Sequence, residues 1–207
     1  DEGRIKGILG SGKRLSRSIQ KFKLTNAPFI PATDFPFISR EEWGATPATD
    51  RRPLKHPVEY VVIHHTYIPG ACFSTERCKT DMRGMQNYHK SLGWGDIGYN
   101  FCVGAEGSAY EGRNWNVTGI HAMSANNYSI GICIIGDWRT ELPPQAALDT
   151  TRALIETGLQ NGAISPKYKL IGHQQASPTE CPGQRLLEEI SKWEHYTSEP
   201  FKIPNTK

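Results

Sequence analysis

The segment VEYVVIHHT, from Val58 to Thr66, is a run of β-branched and aromatic residues that ends in two histidines. A run of this length and composition is typical of a strand in the core of a sheet. His64 and His65 stand at the C-terminal end of that strand. Since strand ends line ligand clefts in α/β folds, the segment predicts both a core strand and a candidate site at its end.

Further strands and helices are predicted after this run. A helix is expected from Ser74, because Cys78, Met82, Met85 and His89 follow at helical spacing and would pack inward. Two more helices are predicted in PPQAALDTTRALIETGLQNG and GQRLLEEISKW, and short strands in YNFCVG, SAYEGR, YSIGICIIGDW and YKLIGH. This alternation predicts an α/β fold, a sheet covered by about three long helices.

The chain divides by composition into a basic extension and a folded domain. Residues 1–24 carry seven basic and two acidic side chains, a charge of +5, against −2 for the rest. We therefore predict a basic N-terminal extension and Pro-rich linker over 1–37, a folded domain over 38–198 that opens with the capping-box pattern SREE, and a tail over 199–207. The extension is either a flexible arm or a contact for anionic envelopes, and the body is not a nucleic-acid binder.

Cysteines and sequons favour an extracellular protein. Cys72 and Cys78 could close a small disulfide loop at the start of a helix, whereas Cys102 and Cys133 lie in apolar strands as free thiols or as a pair. The sequons at Asn116 and Asn127 are compatible with secretion. No apolar run has the length of a membrane span, and the charged N-terminus is typical of a processed chain. The expected location is secreted.

A second candidate site lies in GHQQASPTECPG, where Cys181 follows His173 by eight residues. Two imidazoles and one thiolate suit a tetrahedral zinc site with an open position for water. The spacing alone leaves the alternative open that the histidines are satisfied core residues and the cysteine a buried thiol. A Cys–His nucleophile would need an orienting Asn or Asp, and a glycosidase would need paired carboxylates; the sequence marks neither.

Five motifs in order carry a resemblance to a known family: VVIHHT, GWGDIGYNF, YEGRNWNVTGIHA, SIGICIIGDW and TECPG. The chain resembles the peptidoglycan recognition proteins of animals, whose domain is similar to type 2 amidases, over roughly residues 39–197. The resemblance implies a central mixed β-sheet flanked by helices, with a long peptide-binding groove. It implies Zn²⁺ held by His64, His173 and Cys181, with Tyr99 and Thr179 in catalysis.

The implied activity is that of a zinc-dependent N-acetylmuramoyl-L-alanine amidase of innate immunity. Such an enzyme cleaves the lactyl-amide bond between muramic acid and the L-Ala of the stem peptide in bacterial peptidoglycan. Binding-only relatives typically replace the cysteine, and this chain keeps it as Cys181. The alternative is a non-catalytic receptor that senses peptidoglycan.

The resemblance also implies which residues contact the substrate. Gly93, Trp94 and Arg113 match positions that favour meso-diaminopimelic acid over lysine in the stem, because a guanidinium is a bidentate partner for the additional carboxylate. The other expected substrate contacts are His65, Thr66, His89 and His121. The chain departs from the common pattern at Asn114, where glycine is frequent, and at Gln174, where arginine is frequent.

Overall fold

A computed structural model describes residues 35–204 of the chain. Almost all of the predicted N-terminal extension, and the last three residues of the predicted tail, lie outside the described residues. The envelope contact of residues 1–37 and the boundaries at 38, 198 and 199 stay predictions. Among the described helices, none combines the length and the apolar character needed to cross a membrane.

A six-stranded sheet in the order β1-β4-β3-β5-β2-β6 forms the centre of the fold. All neighbouring strands are parallel except β3 and β4, so the sheet is mixed, as expected from the sequence. The strands are β1 (Phe37–Ile38), β2 (Val58–His65), β3 (Phe101–Val103), β4 (Ala109–Glu111), β5 (Ser129–Ile134) and β6 (Ile164–Gly172). In β2 and β5 nearly every residue is buried, which is why both read as continuous apolar runs.

Within residues 35–204, four α-helices accompany the sheet: α1 (Arg40–Trp43), α2 (Thr75–Ser91), α3 (Gln145–Gln160) and α4 (Gln184–Ile190). Only α2 and α3 are long, so the expectation of three long helices is wrong for α4, which has seven residues. The predicted capping box is present at α1, where Ser39 and Glu42 satisfy each other's backbone N–H groups.

Helix α2 packs its predicted inward face on the sheet. Cys78, Met82, Met85 and His89 are all buried. The predicted disulfide is confirmed, since Cys72 and Cys78 are bonded. Cys102 and Cys133 are buried free thiols that face each other in register across β3 and β5. The cysteine pairing left open by the sequence is therefore a single disulfide at the start of α2.

The parallel register of β2 and β6 brings the two histidine sites together. Ile63 pairs with Gly172, so the next residues, His64 and His173, emerge side by side at one edge of the sheet. A Cβ at Gly172 would lie 2.8 Å from Cδ of Pro182, which leaves room there for glycine only. The loop that carries Cys181 can therefore fold back against the strand end and reach both histidines.

A buried amide connects β5 to the loop that follows β4. Asn100 is fully buried; its Nδ2 donates to the carbonyls of Asn114 and Val117 at 2.8 and 2.9 Å, and its Oδ1 accepts from Gly131 N–H at 2.9 Å. Three backbone groups thus depend on one side chain. Backbone groups buried without a partner cost about 1–3 kcal/mol each.

We predict that Asn100→Leu lowers the free energy of unfolding by more than about 2 kcal/mol, because Leu fills the volume but leaves these groups unsatisfied. Asn127→Leu is the control; Asn127 is exposed, and its substitution should change stability by less than about 0.5 kcal/mol. Urea unfolding of both variants measures the effect. Equal stability of the two would contradict the role of Asn100.

Candidate metal centre and active site

Three residues with the chemistry of zinc ligands lie together at the end of β2. One ligand atom from each of His64, His173 and Cys181 lies within 4.8 Å of the other two. His64 Nδ1 is 3.7 Å from Cys181 Sγ, and the His64 and His173 ring centroids are 4.5 Å apart. Two imidazoles and one thiol in this arrangement fit Zn²⁺ with a fourth position left for water.

The protonation states of these ligands follow from burial. Burial, and then the nearby His173 and His121, hold the pKa of His64 well below 6.5. Burial lowers the pKa of His173 to about 4, so both imidazoles are neutral and carry a lone pair at pH 7. Burial raises the pKa of Cys181 to about 12, although the His65 N–H that donates to its sulfur at 3.3 Å acts in the opposite direction. Metal binding must therefore displace the thiol proton.

Tyr99 lies beside the cluster as a neutral phenol. Its ring centroid is 5.3 Å from that of His64 and 5.7 Å from that of His89. Burial raises its pKa well above 10, so the hydroxyl keeps its proton and can donate a hydrogen bond. Thr179 is exposed two residues before Cys181, and its Oγ1 accepts from the Cys181 N–H at 3.2 Å, which leaves its own hydroxyl proton free for another acceptor.

His65 and Thr66 hold the adjoining loops. His65 Nδ1 accepts from Trp138 N–H at 3.2 Å. Thr66 Oγ1 donates to the Pro69 carbonyl at 2.7 Å and accepts from Gly136 N–H at 2.8 Å. The structure therefore places these two predicted contact residues in the wall of the site, with His65 Nδ1 and Thr66 Oγ1 bonded inside the protein.

His89 and Trp94 form a second wall. Their rings are stacked with centroids 4.7 Å apart, and His89 Nδ1 accepts from Gly98 N–H at 3.0 Å. Gly93, directly before Trp94, lies in an exposed turn with φ +82°, a conformation suited to glycine, and a Cβ there would meet nothing within 4 Å.

Arg113 is enclosed. It is 1% exposed, and its guanidinium donates to four backbone carbonyls: Ile97 from Nε, Asp50 and Thr118 from Nη1, and Trp94 from Nη2. A guanidinium has five N–H groups, so one on Nη2 remains for a ligand. A bidentate contact requires two N–H groups that face the ligand, and Arg113 does not have two to offer. Because its guanidinium is buried, Arg113 does not form a surface ion pair either. A discriminating role for Arg113 stays a prediction.

His121 lies behind His64. It is 9% exposed, and its Nδ1 is 2.9 Å from His64 Nε2. Burial, with the neighbouring His173 and Arg113, lowers its pKa to about 3. Both of its ring nitrogens face protein groups, and its expected contact with the substrate stays a prediction.

An apolar groove opens beside the site; the resemblance implied a long groove, but apart from Thr66 the residues that line this one were not expected. A cavity of about 650 Å³ opens next to Thr66. Its walls include Tyr67 and Tyr88, which are 50% and 63% exposed, and Ile68. The guanidinium of Arg139 lies 4.6 Å from the centre of the Tyr67 ring. The one sequence feature that could have indicated this groove is the tyrosine that follows the histidine pair, Tyr67. A sequence does not show that such a side chain is exposed.

Four buried histidines and the half-buried His173 have lowered pKa values, which make stability depend on pH: His64, His65, His89, His121 and His173. Since the unfolded chain binds these protons near pH 6.5 and the folded chain only at lower pH, their stabilising contribution is present above 6.5 and is lost as pH falls.

We predict that the free energy of unfolding of the metal-free protein falls by more than about 1.4 kcal/mol when the pH is lowered from 6.5 to about 5. This interval lies above the usual pKa values of Asp and Glu, so carboxylates contribute little to the change. Urea unfolding at both pH values measures it. His89→Gln should reduce the slope, and a pH-independent stability would contradict the prediction.

Comparison with known proteins places this geometry in a family. The family model described as N-acetylmuramoyl-L-alanine amidase matches residues 54–184. Peptidoglycan-recognition protein LB of Drosophila melanogaster is 50% identical over 161 residues, which cover 77% of this chain and 69% of that protein.

Solved structures of relatives share the fold. A mutant of Drosophila PGRP-LB in complex with tracheal cytotoxin aligns with a TM-score of 0.77 at 49% identity, over 78% of this chain and 96% of that one. Peptidoglycan recognition protein LE, bound to tracheal cytotoxin, described as monomeric diaminopimelic acid-type peptidoglycan, aligns with a TM-score of 0.76 at 43% identity, over 78% and 95%. The chain therefore belongs to the peptidoglycan recognition protein family, and its folded part is a type 2 amidase domain.

Proposed function

We propose that this protein is a zinc-dependent N-acetylmuramoyl-L-alanine amidase that cleaves the lactyl-amide bond between muramic acid and L-Ala in bacterial peptidoglycan. The observation that carries the proposal is the cluster of His64, His173 and Cys181, brought together from the ends of two parallel strands. The neutral imidazoles and the buried sulfur fit Zn²⁺ in number and chemistry.

Zinc bound by these three side chains supplies a Lewis acid that lowers the pKa of water toward ~7. The protein's own part in the reaction begins with Tyr99. Its protonated hydroxyl has no hydrogen-bond partner among residues 35–204, so it is free to donate to the carbonyl oxygen of the scissile amide as negative charge develops there. Loss of one such donor typically reduces the rate about 10²–10³-fold.

Hydrolysis adds water to the lactyl carbonyl carbon, breaks the C–N bond and leaves a proton on the amine of L-Ala. The exposed hydroxyl of Thr179, next to the sulfur ligand, is placed to orient a polar group of the substrate at this point. The buried side chains of His65 and Trp138 and the half-buried Thr66 restrict water on the other side of the cluster.

The stem peptide lies along the wall of His89, Gly93 and Trp94, and diaminopimelic acid is the preferred third residue. The stacked rings give an apolar surface, and Arg113, which is 1% exposed, keeps one Nη2 N–H besides the one that it donates to the Trp94 carbonyl. A single charge-assisted hydrogen bond to the additional carboxylate favours this stem over a lysine stem. The complex of the relative LE with a diaminopimelic acid-type ligand supports this preference.

The proposed setting is extracellular, in innate immunity. The disulfide between Cys72 and Cys78 supports an oxidising compartment. The relative LB, half identical to this chain, is named for peptidoglycan recognition.

We predict that Cys181→Ser lowers the turnover of purified diaminopimelic-type muropeptide by at least about 10²-fold while peptidoglycan binding survives, because a serine hydroxyl is a poor zinc ligand. Zinc stoichiometry should fall from about one to near zero. Cys102→Ser is the control, a buried free thiol outside the cluster whose variant should keep its zinc and its turnover. Release of stem peptide by Cys181→Ser at the wild-type rate would overturn the zinc assignment. Tight binding without turnover by the wild type would indicate a sensor.

We predict that Arg113→Lys reduces the preference for diaminopimelic over lysine muropeptide about 10-fold or more, since hydrogen bonds to charged groups contribute about 1.5–3 kcal/mol and lysine lacks the planar fork. The ratio of the two dissociation constants, from calorimetry, separates this effect from a general loss of stability. Arg152→Lys, on α3 and against Trp193, is the control. An unchanged ratio removes Arg113 from the discriminating role.

A further inference from the structure

The ring of His64 is engaged at both nitrogens, and only one arrangement of protons permits metal binding. Nδ1 is 3.7 Å from Cys181 Sγ, on the side of the ligand cluster, and Nε2 is 2.9 Å from His121 Nδ1. A neutral imidazole has one N–H and one lone pair. A metal at Nδ1 therefore requires the proton on Nε2, which then donates to His121. The opposite direction of this hydrogen bond would put the proton of His64 on Nδ1 and block the site.

The surroundings of His121 favour the productive direction. His121 Nε2 is 3.5 Å from Ser129 Oγ, at the long limit of a hydrogen bond, and the Ser129 hydroxyl donates to the Ala125 carbonyl at 2.7 Å. Because a hydroxyl has a single proton, Ser129 offers only lone pairs to His121. The proton of His121 consequently belongs on Nε2, and its Nδ1 is left as the acceptor for His64.

The ring of His121 is also held in place sterically. A Cβ at Gly119 would lie 2.4 Å from His121 Cδ2, and one at Gly131 would lie 2.5 Å from the same atom. Two glycines thus supply the space that the imidazole occupies. The backbone N–H of His121 donates to Asn126 Oδ1 at 2.9 Å, and that of Ala122 donates to the same oxygen at 2.7 Å. Backbone and ring are therefore held independently.

We infer that His121 is a positioning residue that fixes His64 in the tautomer with the Nδ1 lone pair directed at the metal. The inference rests on the proposed zinc function and adds a residue that does not itself touch the metal. Hydrogen-bond partners of ligating histidines typically contribute about 10–100-fold to metal affinity, since they orient the ring and raise its basicity.

Two variants at the same position separate the hydrogen bond from the volume of the ring. His121→Phe keeps a ring between the two glycines and removes the acceptor, and we expect its Zn²⁺ dissociation constant to rise about 10–100-fold. His121→Asn carries an amide oxygen close to the position of Nδ1 and should remain within about threefold of the wild type. His56→Phe is the matched control; His56 is a histidine at the start of β2 whose Nδ1 is 3.1 Å from the Ala163 carbonyl, away from the cluster.

Competition with a chromophoric chelator gives the Zn²⁺ constants, and circular dichroism verifies that each variant is folded. In the Co²⁺-loaded proteins, the thiolate-to-cobalt absorption and the d–d bands should change in His121→Phe and be restored in His121→Asn. A folded His121→Phe with the wild-type Zn²⁺ constant and cobalt spectrum overturns the inference. Failure of the wild type to bind Zn²⁺ would instead contradict the proposed function.

The tautomers are measurable in the wild-type, metal-free protein, which needs neither a stable variant nor a bound metal. Long-range ¹H–¹⁵N spectra of the ¹⁵N-histidine-labelled protein report which ring nitrogen carries the proton. We expect the proton of both His64 and His121 on Nε2. A proton on Nδ1 of His121 overturns the inference even where His121→Phe does not fold.

Discussion

The site depends on the parallel pairing of β2 with β6. Both strands end in a histidine, and the register Ile63 to Gly172 places the two ends at the same edge of the sheet. A shift by one residue would turn His64 to the opposite face, because side chains alternate along a strand. Gly172 then allows Pro182 to approach the strand end, so the loop returns with Cys181. Two strand ends and one glycine thus bring His64 together with His173 and Cys181, which lie more than a hundred residues later in the chain.

Local patterns in the sequence predict the fold class, whereas the ligand set follows from the resemblance carried by five ordered motifs. The apolar run before His64, the helical spacing through α2 and the turn around Cys181 each require only a short window. The hydrogen-bond partners of buried side chains cannot be predicted from a short window, since they depend on how distant segments of the chain meet. His121 is 57 residues from His64 in the chain, and Arg113 takes acceptors from four separate positions. No window of sequence contains either set of partners, so neither could be predicted, and the expected substrate contacts of His121 and Arg113 stay predictions.

The buried charge of Arg113 acts on the site indirectly, because its guanidinium holds the backbone segments around the groove. Its guanidinium joins the loop at Asp50 to the segment of Trp94 and Ile97 and to Thr118. An unpaired buried cation is costly, and here backbone dipoles and the carboxylate of Asp50 at 3.9 Å offset that cost. The carbonyl bond to Trp94 fixes the aromatic wall of the groove. Arg113 thus positions one wall of the site without being part of its exposed surface.

The imidazoles at the site affect both the proposed metal binding and the stability of the fold. Burial keeps His64, His121 and His173 neutral, and only neutral imidazoles have the lone pairs that a metal or a hydrogen-bonded neighbour requires. The same burial is expected to lower the free energy of unfolding in acid, because these histidines bind protons at a higher pH in the unfolded chain than in the folded one. A chain of hydrogen bonds runs from the Ala125 carbonyl through Ser129 and His121 to His64. This chain sets which nitrogen of each neutral imidazole carries the proton. A carbonyl in the 3-10 helix over Met123–Tyr128 thereby determines which nitrogen of a histidine on β2 is available at the site.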